Sequence, residues 1–149
     1  MNRSKILPPT YLLIALLAMP TLHFLVPIVK IISFPWNTLG VIFLLCGVAL
    51  NLVSDRRFHQ VGTTVKPFEE SSTLIINGIF SLSRNPMYLG FALLLGGVAL
   101  FLGSLSPLII LPIFVFLIEK NFIISEEKLL EKTFGQAYLE YKRKVRRWI

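Results

Sequence analysis

The sequence predicts an all-α integral membrane protein with four transmembrane helices, a cytosolic loop and C-terminal amphipathic helices. Of its 149 residues, 54% are hydrophobic, and the mean hydropathy is +0.71, a balance typical of membrane proteins rather than soluble domains. A spanning helix needs about 20 mostly apolar residues. The stretches that approach this length are 12–32, 35–53, 87–105 and 107–124. We expect them to form one domain covering residues 1–149.

The placement of charged residues predicts the orientation of the spans. Among 15 Lys and Arg, only Lys30 lies near the turn between spans one and two, at the end of span one, and none falls between spans three and four. Because basic residues accumulate in cytoplasmic segments, we expect both termini to be cytosolic, in the inner membrane of a prokaryote. The net charge of +7 then favours contact with membrane lipids that carry anionic headgroups. Nucleic acid is not an expected partner, since the basic residues flank spans.

The first two spans are predicted to form a hairpin whose outer loop carries Trp36 at the membrane interface. His23, within span one, is either a packing residue or a functional buried polar group. Its lack of a charged neighbour in the sequence favours packing. Cys46 is the only cysteine, which excludes an internal disulfide and a cysteine-rich metal site.

Residues 54–85 form a polar segment that is too long for a simple connector. It is either a solvated loop whose arginines reach along the interface or one wall of a cytosolic pocket. Span three begins after it, where Asn85 can cap the helix and Pro86 suits the first turn. Small residues then recur every seven positions, at Gly90, Gly97 and Ser104. Such a seam allows close helix packing in lipid, and we expect span four as its partner.

The C-terminal part is predicted to form two short amphipathic helices. The first begins near Ser125, with Glu126 and Glu127 where the helix dipole favours acids, and it ends at Gly135. The second has Tyr138, Tyr141, Val145 and Trp148 at helical spacing, with basic residues between them. This pattern is typical of a helix that lies on an anionic membrane surface.

Polar groups gather at the cytosolic ends of spans three and four. The hairpin between these spans is tight, so residues 84–88 and 119–127 are expected to lie side by side and to border a cleft. The span centres contain no Asp, Glu, Lys or Arg, which argues against a proton-coupled transporter. The sequence contains no catalytic triad, metal motif, P-loop or soluble-type dinucleotide fingerprint.

Residues 62–149 carry an ordered set of short motifs. They are Gly-Thr-Thr-x-x-Pro at 62–67, Gly-x-Phe with Arg-Asn-Pro-Met-Tyr-x-Gly at 78–90, Glu-Glu at 126–127, Phe-Gly-x-x-Tyr-x-x-Tyr at 134–141 and Val-x-Arg at 145–147. This set resembles the isoprenylcysteine carboxyl methyltransferase and phospholipid methyltransferase family of membrane enzymes. Each motif alone is weak, and the first two spans match only in being apolar.

The resemblance implies that S-adenosylmethionine is the methyl donor, bound in a cytosolic pocket of residues 62–149. A lipophilic small-molecule or prenylated substrate would enter from the membrane. Glu126 or Glu127 would bind the donor's amino group, and its carboxylate would meet a cation or amide. The cofactor-binding set is Phe80, Arg84, Asn85, Tyr88, Leu89, Glu126 and Glu127, and the catalytic set is Arg84, Asn85 and Arg147. No metal is implied.

Each assignment has a simpler alternative. The alternatives are an interfacial arginine for Arg84, an N-cap for Asn85, an interfacial belt residue for Tyr88 and dipole-matching residues for the paired acids. For the C-terminal part they are packing residues for Tyr138 and Tyr141 and headgroup contacts for Arg146 and Arg147. For the whole protein, the alternatives are a nicotinamide-dependent membrane reductase of related architecture and a non-enzymatic scaffold or transporter subunit.

Overall fold

The computed structural model describes residues 7–62 and 72–149. The Gly-Thr-Thr-x-x-Pro motif therefore lies outside the described residues, apart from Gly62. Six α-helices lie in the described ranges, and they are α1 (Pro8–Leu25), α2 (Leu39–Val61), α3 (Pro86–Leu102), α4 (Leu105–Ile118), α5 (Ile124–Phe134) and α6 (Gln136–Lys144). Short 3-10 turns at Trp36–Thr38 and Gly78–Ser81 precede α2 and α3.

The first helix ends at Leu25, so the prediction of a span reaching residue 32 is wrong. Val26 leaves the helical conformation, because a residue that precedes a proline, here Pro27, disfavours the α region. The chain then runs extended beside the turn that joins α3 to α4. Three backbone hydrogen bonds connect them, Ile31 N to Gly103 O at 2.8 Å, Ile32 N to Gly103 O at 3.0 Å and Leu105 N to Val29 O at 2.9 Å.

The second helix continues beyond its predicted end at residue 53 and reaches Val61. The charged stretch 55–60, predicted to belong to a loop, is therefore helical. It contains no proline or glycine that would stop the helix. The helix ends at Gly62, whose φ of 67° is left-handed and so suits glycine at a helix C-terminus.

The small-residue seam of α3 packs against α2, so the prediction of α4 as its partner is wrong. A Cβ added to Gly97 would lie 2.6 Å from the carbonyl oxygen of Gly40, and one added to Gly47 would lie 2.7 Å from that of Gly90. The two backbones are therefore in direct contact, as small residues permit in lipid.

A hydrophobic core joins α1, α3 and α4, and it extends to the start of α5. Its buried members are Ala15, Met19, Tyr88, Leu95, Ala99, Phe114, Ile118, Phe122 and Ile123. His23 of α1 has its Nδ1 2.7 Å from Ser104 Oγ, at the end of the bundle away from Arg84. This contact agrees with the packing interpretation of His23.

The fourth predicted span does not end at residue 124. A π-helical turn at Glu119–Ile123 joins α4 to α5, so Leu105–Phe134 is one continuous helix. This helix, Pro8–Leu25 and Trp36–Val61 are long and apolar enough to cross a membrane, whereas α3 is a shorter apolar helix. The length and apolar composition of these three helices indicate an integral membrane protein.

Candidate functional site

The start of α3 and the start of α5 meet at one end of the bundle. Tyr88 Oη donates a 2.7 Å hydrogen bond to Glu126 Oε1. Arg84 Nη2 lies 3.2 Å from Glu127 Oε1, and both of these side chains are only 8% exposed. The prediction that residues 84–88 and 119–127 lie side by side at the open end of the hairpin is therefore confirmed.

The π-helical turn determines which acid lies beside which. Residues seven apart share a face of an uninterrupted α-helix, so Glu119 would align with Glu126. A π turn accommodates one extra residue, which shifts this register by one position. Glu119 accordingly lies on the side of Glu127, and both acids contact Arg147. Neither the hydropathy nor the spacing of the sequence indicated this turn.

Arg147 reaches the same cluster from the C-terminal segment, residues 145–149. Its Nε donates to Glu127 Oε1 at 2.9 Å, its Nη2 donates to Glu127 Oε2 at 2.8 Å, and its Nη1 pairs with Glu119. The hydrogen bond to Glu127 raises the pKa of Arg147 above its usual range. The headgroup interpretation is therefore wrong for Arg147, whereas Arg146 is exposed.

The backbone of the C-terminal segment is bound to residues 83–85. The amide of Arg84 donates to the Arg146 carbonyl at 3.1 Å. Asn85 Nδ2 and Ser83 Oγ both donate to the Arg147 carbonyl, at 3.1 Å and 3.3 Å. The side chain of Asn85 makes no capping hydrogen bond, so the N-cap interpretation is wrong in this respect. Asn85 instead holds the C-terminal segment against the start of α3.

The predicted second amphipathic helix is shorter than expected and faces inward. It ends at Lys144, after which Val145 is extended. Tyr138, Tyr141 and Val145 are buried against Leu74, Leu130 and Phe134. The prediction of a helix that lies on the membrane surface is therefore wrong for this apolar face, whereas the interpretation of Tyr138 and Tyr141 as packing residues is confirmed. Trp148 lies outside the helix and packs against the main core.

Phe80 and Leu89, two residues of the predicted cofactor-binding set, take no part in the ion pairs of the cluster. The ring of Phe80 packs edge-on against Phe58, with centroids 5.4 Å apart, and its carbonyl accepts a 2.6 Å hydrogen bond from Tyr141 Oη. These contacts place Phe80 between α2 and α6 rather than among the charged groups. Leu89 is half-buried in the first turn of α3 and offers only an apolar side chain beside Tyr88.

The charges of the cluster do not cancel. Two arginines and two glutamates, Arg84 and Arg147 with Glu119 and Glu127, balance each other. Glu126 adds a third carboxylate, and this carboxylate accepts a hydrogen bond from the neutral Tyr88 hydroxyl. Within the described ranges, Nε and Nη1 of the buried Arg84 guanidinium make no hydrogen bond. Because buried polar groups are normally paired, these two nitrogens are unsatisfied donors within the cluster.

These features define a helical membrane protein with a cluster of charged side chains at one end of its bundle. Among the described residues, no group of three or more His, Cys, Asp or Glu could hold a metal ion. The chain belongs to the phospholipid methyltransferase family, whose sequence pattern matches residues 36–137.

Two relatives show the extent of the sequence similarity. Protein-S-isoprenylcysteine O-methyltransferase of Saccharomyces cerevisiae is 36% identical over 132 residues, which cover 82% of this chain and 54% of that protein. An uncharacterized protein of Haemophilus influenzae is 41% identical over 63 residues, which cover 42% of this chain and 100% of that protein.

The fold also resembles that of a solved structure. The eukaryotic intramembrane Ras methyltransferase ICMT (isoprenylcysteine carboxyl methyltransferase) matches with a TM-score of 0.70 at 21% identity, over 100% of this chain and 53% of that chain. The chain thus spans about half the length of the yeast relative and of the solved structure.

Proposed function

We propose that this chain transfers a methyl group from S-adenosylmethionine to a lipophilic acceptor at the cytosolic face of a membrane. The observation that carries the proposal is the buried guanidinium of Arg84, with two nitrogens free of hydrogen bonds, close to the Tyr88–Glu126 pair. Family membership supports the reaction class, because the matching family is one of methyltransferases.

The residues of the site fit the amino-acid part of the donor. The free nitrogens of Arg84 would bind its carboxylate, since guanidinium and carboxylate form charge-assisted hydrogen bonds. Glu126 would bind its ammonium group and complement the positive sulfonium. Glu127 is a poorer candidate because Arg84 and Arg147 already occupy its two oxygens. Within the acidic pair, the contacts therefore favour Glu126 as the ligand-binding residue.

The protein's own residues would bind and orient the donor and the acceptor, and they would exclude water from the site. Bound at this site, S-adenosylmethionine would supply its sulfonium methyl group to an attacking acceptor atom, with the carbon–sulfur bond broken and S-adenosylhomocysteine as the leaving group. Tyr88 fixes the position of the Glu126 carboxylate through its hydrogen bond. The ion pairs of Glu127 with the buried Arg84 and the partly exposed Arg147 would hold one side of the site in place. Alignment of two reactants in a dry site can supply much of the rate enhancement of a transfer reaction.

We further propose that the chain crosses the membrane four times and that both termini are cytosolic. In this arrangement α3 crosses the membrane in addition to the three longer helices. The charged cluster and Lys30 support this orientation. Lys30 pairs with Ser104 at the far end of α3, whereas the clustered arginines lie at its beginning, as the positive-inside rule requires for a cytosolic site. The acceptor would be an isoprenylcysteine-type carboxylate or a phospholipid-type amine that reaches the site from the membrane.

Calorimetry on the full-length chain in detergent tests the donor assignment. S-adenosylhomocysteine should bind, and NADPH should not. Labelled S-adenosylmethionine should then methylate either farnesylcysteine or phosphatidylethanolamine, and comparison of these two compounds identifies the acceptor class. Binding of NADPH in place of S-adenosylhomocysteine would favour the reductase, and binding of neither would contradict an enzymatic role of this site.

A further inference from the structure

The basic residues near the C-terminus lie on the outward side of α6. Its apolar side chains are buried against the protein, so the helix has no apolar face left for the membrane. Lys142, Arg143 and Lys144 are exposed in its last turn, and Arg146 is exposed just after it. We call these four residues the basic surface.

The basic surface lies where the polar part of the chain meets the apolar bundle. Arg146 is bound through its carbonyl to the amide of Arg84, and the apolar helix α3 begins at Pro86. Two apolar side chains are exposed near this junction, Leu82 at 72% and Ile149 at 77%. Basic residues together with exposed apolar side chains are typical of the level of lipid headgroups.

We propose that the basic surface binds the anionic headgroups of the membrane in which the protein resides, and that this contact holds residues 145–149 against the candidate site. The contact is electrostatic and requires no insertion of α6, because the apolar face of this helix is already buried. Lys142 contributes less than the others, since it also lies 3.5 Å from Glu131. The proposal does not rest on methyl transfer, because it concerns only where the C-terminal segment is held.

Hydrogen exchange in lipid nanodiscs tests this contact. The full-length chain is placed in discs of phosphatidylcholine or in discs with about a third phosphatidylglycerol, and amide exchange is followed over 142–149. Anionic lipid should slow exchange in this segment by roughly fivefold for each engaged basic side chain. Raising the salt to about 0.5 M should remove most of the difference, because it shortens the screening length.

Two charge-matched variants separate the basic surface from general charge. R143Q combined with R146Q should lose most of the slowing by anionic lipid, whereas K128Q combined with K132Q on exposed positions of α5 should keep it. Equal loss in both variants, or no effect of anionic lipid on the unmodified chain, would overturn the proposal.

Two further results would assign the basic surface to another role. If R143Q/R146Q speeds exchange as much in neutral discs as in anionic ones, the charges serve only the C-terminal dipole of α6. If heparin added to neutral discs protects the segment as well as anionic lipid does, the surface binds soluble polyanions. Either result would contradict a membrane contact.

Discussion

Tyr88 and Glu126 form a 2.7 Å hydrogen bond between the first turn of α3 and the start of α5. The adjacent acid, Glu127, instead meets two arginines, Arg84 and Arg147. Neighbouring carboxylates therefore occupy different environments, one beside a neutral hydroxyl and the other inside an ion-pair network. This difference predicts that substitution of each acid to glutamine affects different properties of the protein.

Glu127→Gln should mainly reduce stability. Loss of one partner leaves the buried charge of Arg84 without compensation, which typically costs about 3–5 kcal/mol. Glu126→Gln keeps an oxygen that can accept the bond from Tyr88, so its unfolding midpoint should change little. Its affinity for S-adenosylhomocysteine should fall by roughly tenfold to a hundredfold, the cost of losing a charge-assisted hydrogen bond.

Thermal unfolding and calorimetry in one detergent check both variants. Glu140→Gln, an exposed acid on α6, controls for the loss of one negative charge. Unchanged ligand affinity in Glu126→Gln would remove Glu126 from the proposed site. A stable Glu127→Gln protein would mean that the ion pairs contribute little to the fold.

The sequence predicted the location of the polar cluster better than its internal pairing. Arg84, Tyr88 and the paired acids lie at the open end of a hairpin of two apolar helices, and a short turn between those helices brings this end together in few ways. The position of Arg147 could not be predicted, because the helical spacing of Tyr141, Val145 and Trp148 suggested that α6 continued to the end of the chain. Hydrogen bonds from residues 83–85 to the carbonyls of Arg146 and Arg147 stabilise an extended segment instead.

The contact between α2 and α3 allows a test with neighbouring glycines. In Gly97→Ala the new methyl group would meet the backbone of Gly40 at 2.6 Å, so the helices would have to separate, at a cost of about 1–3 kcal/mol. Gly96→Ala faces open space and should be neutral or stabilising by up to about 1 kcal/mol, since alanine favours helix. Unfolding measurements in detergent should rank the two variants in this order, and equal stabilities would contradict the close packing.

The partner of this seam was missed although the sequence contains a signal for it. Gly40 and Gly47 of α2 have the same spacing as Gly90 and Gly97 of α3. Two helices with small residues at the same spacing can pack closely, because no large side chain holds their backbones apart. Ser104, the third small residue, faces His23 instead, so periodicity on one helix did not identify its neighbour.

Tyr141→Phe should weaken the connection between α6 and the turn that leads to Arg84. The buried carbonyl of Phe80 would lose its 2.6 Å hydrogen bond, which costs about 1–3 kcal/mol when the carbonyl is left unpaired. Amide exchange over 78–85 should become faster. Tyr11→Phe, in which a half-buried tyrosine of α1 loses its hydroxyl, is the matched control. If both variants change exchange over 78–85 equally, Tyr141 has no special role there.

The stability of the protein should depend on Tyr138 at high pH. Burial, and to a smaller extent the charge of Glu127, raises the pKa of Tyr138 to about 12, against a usual value near 10. The folded protein therefore keeps its proton over a pH range in which the unfolded chain has lost it. The contribution of Tyr138 to the free energy of unfolding is fully present below about pH 10 and is lost as the pH rises towards 12.

Denaturant titrations between pH 9 and 12, with tyrosinate absorbance recorded in parallel, measure this loss. Tyr138→Phe cannot ionise and should remove part of the decline in stability over that range. Part of the decline should remain, because burial also raises the pKa of Tyr141. A Tyr138→Phe protein whose stability falls as steeply as that of the unmodified chain would show that Tyr138 ionises as freely in the folded state as in the unfolded one. That result would contradict the burial of Tyr138 on the inner face of α6.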